Sequence, residues 1–355
     1  MKSIKSILVI SLCLGLVLPV FGQSLEETLE TMAKENAKGY LGPVVTAFGL
    51  GVNSGTFHTA KSHSLLGFDF KLGVSMTMVE DAGTEYNFAV PDVDIDFDVS
   101  GHSVTLNPND VYETDRTSAT FFGANESYDI EVDETAAIDL IAQQISTSSG
   151  GLLSVQDVKD QLGTEISSAI SQNVPAIKTP VGFDLPAFPM VMPQFSLGLP
   201  MDIELTLRGF PSADLGDAGE LSFFGFGGKI GLNQFVPVPI PFLPRVAVGY
   251  YMTSLKIGDM LESNHSIATL QVSKSIPFIT VYGGFGLESS DMDVSYTYTD
   301  ELTGTTIPIA FSLEGDNSFR TIVGMRLKLA VISINADYNI GEYPVVNLGV
   351  GLTLR

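Results

Sequence analysis

The stretch Val345-Val346-Asn347-Leu348-Gly349-Val350-Gly351-Leu352-Thr353-Leu354-Arg355 sets Val346, Leu348, Val350, Leu352 and Leu354 against Asn347, Gly349, Gly351, Thr353 and Arg355. Successive side chains of a strand point to opposite faces, so this is a strand with one apolar face and one polar or small face. The pattern recurs upstream. Leu66, Phe68, Phe70, Leu72, Val74, Met76 and Met78 form an unbroken apolar face opposite Gly67, Asp69, Lys71, Gly73, Ser75 and Thr77. From Ser196 onward strands come in succession. Leu197, Leu199, Met201, Ile203, Leu205 and Leu207 face one way, and Asp202, Glu204, Thr206 and Arg208 the other. Further sets at Phe224–Leu232, Val246–Met252, Ala268–Val272, Ile279–Leu287 and Val323–Leu329 each hold one parity, and Ile332–Ile340 switches it. Such a switch marks a turn.

The first residues carry an export signal. Lys2 and Lys5 form a positive n-region, Ile7 to Val20 an apolar core, and Val20 and Gly22 suit the cleavage site before Gln23. The core is about 15 residues where a spanning helix needs about 20. Cys13, the single cysteine, lies inside residues 1–22, so the mature chain is expected to lack both disulfide and lipid anchor. Without the two signal lysines, 16 basic side chains face 41 acidic ones, a formal charge of 16 − 41 = −25. That balance excludes nucleic acid as a partner. Yet 45% of residues are hydrophobic. An apolar belt with acidic loops produces this pairing in an exported chain, and it favours a transmembrane barrel over a water-soluble sandwich.

Four regions depart from the strand pattern. Ser24 to Tyr40 reads as a helix with Ser24 as N-cap and Glu27 three residues later. It either packs against the barrel or enters the lumen as a plug. Val44 to Val52 reads as a first strand or as plug backbone. In residues 80–133, Asp92, Asp94, Asp96 and Asp98 alternate with Val93, Ile95, Phe97 and Val99, which reads as an exposed acidic hairpin; the run lacks the central Gly and bidentate Glu of an EF-hand. In residues 135–195, Ile138, Ile141 and Ile145, then Val155, Val158, Leu162, Ile166 and Ile170 behind a Ser154 cap, predict two amphipathic helices. They lead into the Pro- and Met-rich run Phe183 to Pro193.

The predicted architecture is therefore an all-β, antiparallel transmembrane β-barrel of about 12 strands, within a range of 10–14, with an N-terminal helix and a small helical insert. The predicted boundaries are signal 1–22, helix 23–43 and barrel 44–355. The count of 12 takes strands from 44–52, 66–78, the 85–99 and 127–133 pair, and eight strands from Ser196. Compact apolar turns suit the periplasmic side, and polar connections at 209–220, 259–264, 290–316 and 341–344 the outside.

Asn53-Ser54-Gly55, Thr59-Ala60-Lys61, His63, Leu66-Gly67-Phe68-Asp69, Asp337-Tyr338 and Gly349-Val350-Gly351 resemble an uncharacterised family of Gram-negative outer-membrane barrels. This resemblance implies fold and location and carries no functional residue. The architecture is more loosely similar to the long-chain fatty-acid transporter type of barrel, which has an N-terminal plug and carries hydrophobic compounds.

No catalytic constellation emerges. His58, His63, His102 and His265 are predicted in loops or at strand ends, and Ser62 and Ser64 flank His63 without a recognised motif. His58 and His63 make a weak metal signal, and neither Asn53-Ser54-Gly55 nor Gly225-Phe226-Gly227-Gly228 has the context of a phosphate loop. The expectation is a non-enzyme without cofactor or metal. Its expected partners are outer-membrane lipid, the barrel-assembly machinery and a small or hydrophobic solute. Asp69, Lys71, Asp202, Glu204, Arg208, Lys229, Arg326 and Lys328 are the predicted lumen charges, their mixed signs arguing against a strongly ion-selective pore. Phe183, Phe188, Met190 and Met192 are the predicted gate or apolar path, since Met surfaces adapt to varied apolar ligands. The competing class is a filled structural or adhesive barrel displaying acidic loops; an outer-membrane lipid-modifying enzyme comes third.

Overall fold

The computed structural model describes residues 34–90, 94–113, 116–174, 176–214, 220–235, 243–299 and 306–354. The expected signal, the start of the predicted helix at Ser24, Asp92 of the aspartate ladder and parts of the polar connections lie outside the described residues.

Among the described residues, chain order begins with helix α1 (Lys34–Val52) and barrel strand β1 (Phe68–Met78). An insert follows: β2 (Glu85–Asn87), β3 (Ile95–Val99), β4 (His102–Leu106), α2 (Pro108–Val111), β5 (Thr117–Ala119), β6 (Asp129–Ile130), α3 (Glu134–Ser148), α4 (Val155–Asn173) and β7 (Ile177–Lys178). The wall resumes with β8 (Ala187–Leu199), β9 (Ile203–Asp214), β10 (Glu220–Gly231), β11 (Arg245–Ile257), β12 (Leu261–Ile276) and β13 (Ile279–Thr299). It ends with β14 (Thr306–Glu314), β15 (Phe319–Leu329), β16 (Ile332–Ile340) and β17 (Val345–Leu354).

Ten strands close into an antiparallel barrel: the order β12-β11-β10-β9-β8-β1-β17-β16-β15-β13 is joined by a β12–β13 ladder, and β14 pairs only with β13 as an extra strand. Closure gives every wall strand a neighbour on both sides, the condition for crossing lipid, although the β8–β9 ladder covers only Leu199↔Ile203 to Gln194↔Arg208. Outward residues form the apolar belt. Phe70, Phe226, Val281, Met325 and Leu352 are all half or more exposed, while their neighbours Lys71, Arg326 and Thr353 are buried inside. No described helix is long and apolar enough to cross a membrane.

The strand assignments of the N-terminal half are corrected. Val44–Val52 is the second half of helix α1, where every residue is buried, and alternation has no meaning on a helix buried all round. Segments 85–99 and 127–133 pair inside the insert, as β2–β5, β3–β4 and β6–β7, and contribute nothing to the wall. Residues 187–195 of the supposed insert belong to β8, which pairs along the whole of β1 from Ala187↔Met78 to Leu197↔Phe68. The run from Leu197 to Leu207 is two strands around a turn at Pro200–Asp202. The barrel thus begins at Phe68, and its ten strands stand at the lower bound of the predicted range.

The insert has a core of its own. Val99, Val104, Leu106, Val111, Ile141, Ile145, Val158, Ile166 and Ile170 pack together there, leaving Asp94, Asp96 and Asp98 on the outer face of the β3–β4 hairpin. The predicted Ser154 cap is a complete capping box with Asp157, whose carboxylate accepts from the Ser154 amide and hydroxyl. These bonds hold the Asp157 carboxyl below its ordinary 3.8. Because the folded value is the lower one, the stabilisation is present above about pH 4 and lost as pH falls through the folded value. Acid titration followed by amide exchange will therefore show the first turn of α4 fraying below pH 4 in the native chain; a Ser154→Ala chain will already be frayed at neutral pH.

Candidate functional site: a two-layered, plugged lumen

α1 enters the barrel from the insert end, where Tyr40 donates to the Val181 carbonyl (3.0 Å) and Asn36 to that of Ala89 (2.8 Å). The chain then descends through 53–65 to the opposite rim, where the Leu66 amide meets the Gly198 carbonyl at 3.0 Å. The lumen around this path has an apolar layer above a polar one.

The apolar layer lies toward the insert. Leu41, Val44, Val45, Phe48, Leu50 and Val52 of α1 are buried against Phe121, Phe122, Phe188, Met190, Met192, Phe223, Leu255 and Met292. Phe48 and Phe188 have ring centroids 4.7 Å apart. Glycine sets the helix–wall distance: a Cβ on Gly49 would lie 1.9 Å from Ser290 Oγ and 2.7 Å from its Cβ. Gly49→Ala is expected to cost about 1–3 kcal/mol through this overlap. Ser290→Gly should return most of it, and thermal unfolding of the four chains of the double-mutant cycle measures that recovery.

The polar layer grips the C-terminus of α1. The last four carbonyls of a helix lack intrahelical partners and carry its negative end. Here each is met. Gly49 O accepts from Asn53 N (2.9 Å) and Gly51 O from Ser54 N (3.2 Å), and Ser75 Oγ also donates to Gly51 O at 3.1 Å. Leu50 O accepts from Ser54 Oγ (2.7 Å) and Arg320 Nη2 (2.9 Å), and Val52 O from Arg208 Nη1 at 2.6 Å. Arg208 Nη2 reaches Ser54 O at 2.7 Å, and Lys71 Nζ donates to Gly55 O. Arg320 is itself paired with Glu288 through Nε (2.9 Å) and Nη2 (2.6 Å), both side chains fully buried. Asn53 Nδ2 completes that carboxylate at 2.9 Å.

Below this, Lys229 Nζ donates to Thr59 O (2.8 Å) and sits 3.1 Å from Glu204 Oε1, whose other oxygen is 2.7 Å from His63 Nδ1. At the rim Asp69 accepts from Thr353 Oγ1, which in turn accepts from Arg326 Nη2 at 2.8 Å. His58 is buried with its Nε2 4.0 Å from Asp69 Oδ2.

Of the predicted lumen charges, Asp69, Lys71, Glu204, Arg208, Lys229 and Arg326 thus face inward and are buried. Asp202 instead sits in the β8–β9 turn with φ 52° and accepts from Ser62 Oγ (2.8 Å) with its main-chain oxygen. Lys328 is half-buried at the rim. Arg320 and Glu288, the most deeply set pair, escaped the sequence reading although parity marks both as inward. His58 and His63 lie in the connection 53–67, as expected of loop residues, but that connection runs through the lumen and buries both; His265 is buried within β12 rather than at a strand end. His265 Nε2 lies 2.6 Å from Ser263 Oγ, but its Nδ1 has no partner among the described residues, so the pair has no orienting carboxylate. No group of metal-ligating side chains is present among the described residues.

The predicted apolar path divides. Phe188, Met190 and Met192 line the lumen from β8, and Met192 Sδ accepts from Arg208 at 3.2 Å, at the boundary of the two layers. Phe183 lies in the insert connection, its ring 4.8 Å from Phe121.

No curated protein matches the chain. Among solved structures, it is similar to the translocation pore of the P pilus usher PapC, with 13% identity and a TM-score of 0.20, covering 46% of this chain and 34% of the usher. The chain thus spans about a third of the usher's length. It is also similar to a loop L8 deletion mutant of OmpT, an outer membrane protein of Vibrio cholerae, with 11% identity and a TM-score of 0.22, covering 81% of this chain and 99% of that one. Neither likeness transfers a residue or a role. Residues 1–354 match a family of unknown function, and the chain, a closed transmembrane barrel plugged by its own N-terminal helix, belongs to that family, DUF6588.

Proposed function

We propose that this protein is an outer-membrane transporter for small hydrophobic molecules, its lumen held shut at rest by α1. The export signal and the apolar belt support the outer membrane, with the short turns at 200–202, 277–278 and 330–331 on the periplasmic side and the insert outside. The observation that carries the transport reading is the layered lumen. A Phe- and Met-lined chamber faces the insert, and it is packed by a helix whose lower end is held by charged side chains on its terminal carbonyls as well as by apolar contacts. A barrel serving only as a membrane scaffold has no need to set an apolar ligand-like segment on a polar clamp. The protein is read as a non-enzyme without cofactor.

Planar-bilayer recording of the mature chain tests the resting state: the native protein should be silent, and stable ohmic steps would make it an open porin instead. Uptake of a fluorescent alkyl-chain probe into proteoliposomes tests transport itself. Deleting 135–195, as the sequence boundaries suggest, would remove most of β8, so the insert is to be excised as 94–113 and 129–174, which keeps Phe121 and Phe122 of the apolar layer.

The second reading, a structural or adhesive barrel, draws on the separate core of the insert and the exposed Asp94, Asp96 and Asp98 face. It predicts that excising the insert leaves uptake unchanged and abolishes attachment to a partner.

A further inference from the structure

We propose that a crevice in the polar layer, between plug residues 56–58 and the wall strands β17, β1 and β8, binds a small uncharged polyol that enters from the rim opposite the insert. The site is separate from the apolar chamber and does not rest on the transport reading. Six side chains, each more than nine-tenths buried, carry hydrogen-bonding atoms that no described residue meets. They are Thr56 Oγ1 and both ring nitrogens of His58 on the plug, Asp69 Oδ2 on β1, Gln194 Oε1 on β8, Asn347 Oδ1 on β17 and Arg326 Nε on β15. Neighbouring contacts bring them together. Gln194 Nε2 donates to Thr56 O at 3.2 Å, and Asp69 and Arg326 share the Thr353 hydroxyl. His58 Nε2 stands 4.0 Å from Asp69 Oδ2, too far for a direct bond. Buried polar groups are nearly always bonded, and leaving one unmet costs its desolvation. So many at one place call for a polar guest.

Glycine provides the room. Gly73 belongs to the inward face of β1, between Lys71 and Ser75. A Cβ there would have as its nearest neighbours Met192 O at 3.5 Å, Asn347 Oδ1 at 3.7 Å and Leu348 O at 3.9 Å, all atoms of the wall. The plug's own glycines are packed far more closely. A Cβ on Gly51 would lie 2.8 Å from Met190 Sδ, and one on Gly55 2.7 Å from Asn347 Oδ1. The plug thus presses on the wall on either side of Gly73 and stands off at Gly73 itself. Toward the rim the crevice reaches Lys328, half-buried, with Arg326 and the exposed Lys61 as its charged neighbours.

The unmet atoms specify the guest. Asn347 Nδ2 already donates to Asp337 Oδ2 at 2.8 Å and Gln194 Nε2 to Thr56 O, which fixes both amides and turns their oxygens to the crevice. With Asp69 Oδ2 these make three acceptors against one obligate donor, Arg326 Nε. The Thr56 hydroxyl and the His58 ring serve in either role. A partner must therefore bring several donors and accept a few bonds in return, which is the chemistry of adjacent hydroxyl groups. Formal charge on the crevice walls cancels, Lys71 and Arg326 against Asp69 and Asp337. Arg208 and Lys229 nearby are answered by the end of α1 and by Glu204. An ion of either sign would lose its hydration there without a matching countercharge.

Residues 23–355 contain no cysteine, so an introduced thiol reports alone. In the folded chain in lipid nanodiscs, Gly73→Cys should be modified by 2-hydroxyethyl methanethiosulfonate, a small neutral hydroxylated reagent, as read by mass. Ser75→Cys should stay unmodified, since Ser75 is 0% exposed on the same face and bonded to Gly51 O. Glycerol, myo-inositol and glucose are the probes. At least one of them, at about ten times its dissociation constant, should slow labelling of Gly73→Cys about tenfold while sparing the exposed Lys61→Cys. A folded Gly73→Cys chain that resists the reagent would overturn the crevice, and labelling that none of the three polyols slows would overturn the polyol assignment. Thr56→Cys gives the same reading if Gly73→Cys does not fold. Binding itself is read by saturation-transfer NMR of the protecting polyol on the native chain. The signal should vanish in Gly73→Leu, whose side chain fills the crevice; a signal undiminished in that variant would overturn the site.

Discussion

Arg320→Ala should turn a silent barrel into a conducting one and lower its stability by about 3–5 kcal/mol, the cost of breaking a buried ion pair and leaving one charge unpaired. Arg320 ties a wall ion pair to the plug: its guanidinium pairs with Glu288 and also donates to Leu50 O and Ser54 Oγ. Removing it strands the Glu288 carboxylate with one amide donor, Asn53, and takes the charged donor from Leu50 O near the negative end of α1. Water must then enter to solvate both. Hydration of the floor is what an ion path requires, so bilayer steps and a lower unfolding temperature should appear together. Arg320→Ala combined with Glu288→Ala removes the stranded charge and should recover part of the stability while keeping the conductance. A silent Arg320→Ala chain of native stability would show that the clamp holds nothing.

What sequence revealed of this fold depended on whether burial was one-sided. β1 and the strands from Ala268 onward have lipid on one face and lumen on the other, so their parity is legible residue by residue. α1 is buried on every side, and its glycines at 49 and 51 answer to wall contacts two residues apart, which counterfeits a strand. β8 was hidden by its prolines, which argue against a strand in the middle of a sheet but suit a strand half of which is an unpaired edge. Turn length explains the remaining misreading. The two-residue turn Ala330–Val331 flips the outward parity between β15 and β16, whereas the three-residue turn Pro200–Asp202 preserves it. A hairpin of the second kind is indistinguishable by parity from one long strand.

The candidate site was legible in its charges and not in its purpose. Parity alone placed Asp69, Lys71, Glu204, Arg208, Lys229 and Arg326 inward, but the groups they bind are main-chain carbonyls of residues 52–59, one another, His63 or the Thr353 hydroxyl. No side-chain pattern announces a carbonyl ligand. Arg208 and Lys71 answer the end of a helix that sequence read as a strand or plug backbone, and Lys229 and Glu204, part of the mixed signs that suggested weak ion selectivity, are the two halves of an internal pair.

Phe48→Ala should produce the opposite phenotype to Arg320→Ala, and the contrast tests the two-layer description. The Phe48 ring is 1% exposed and packs on Phe188 within the apolar layer. Truncation of a buried phenylalanine costs about 3–5 kcal/mol and leaves a cavity whose apolar lining stays dry. The hydrogen bonds at Leu50, Val52, Ser54 and Gly55 are made by main-chain and Ser54 groups two to seven residues further along the chain and remain made, so the floor stays closed to ions. The variant should therefore melt earlier, remain silent in the bilayer and gain affinity for small apolar probes such as benzene or xenon, detected by a rise in unfolding temperature with probe concentration. If the chamber collapsed instead, the probes would have no effect and the stability loss would fall toward the low end of that range. If ion steps appeared, the clamp on the helix terminus would not be sufficient to seal the lumen, and the apolar and polar layers would have to be regarded as one structural unit.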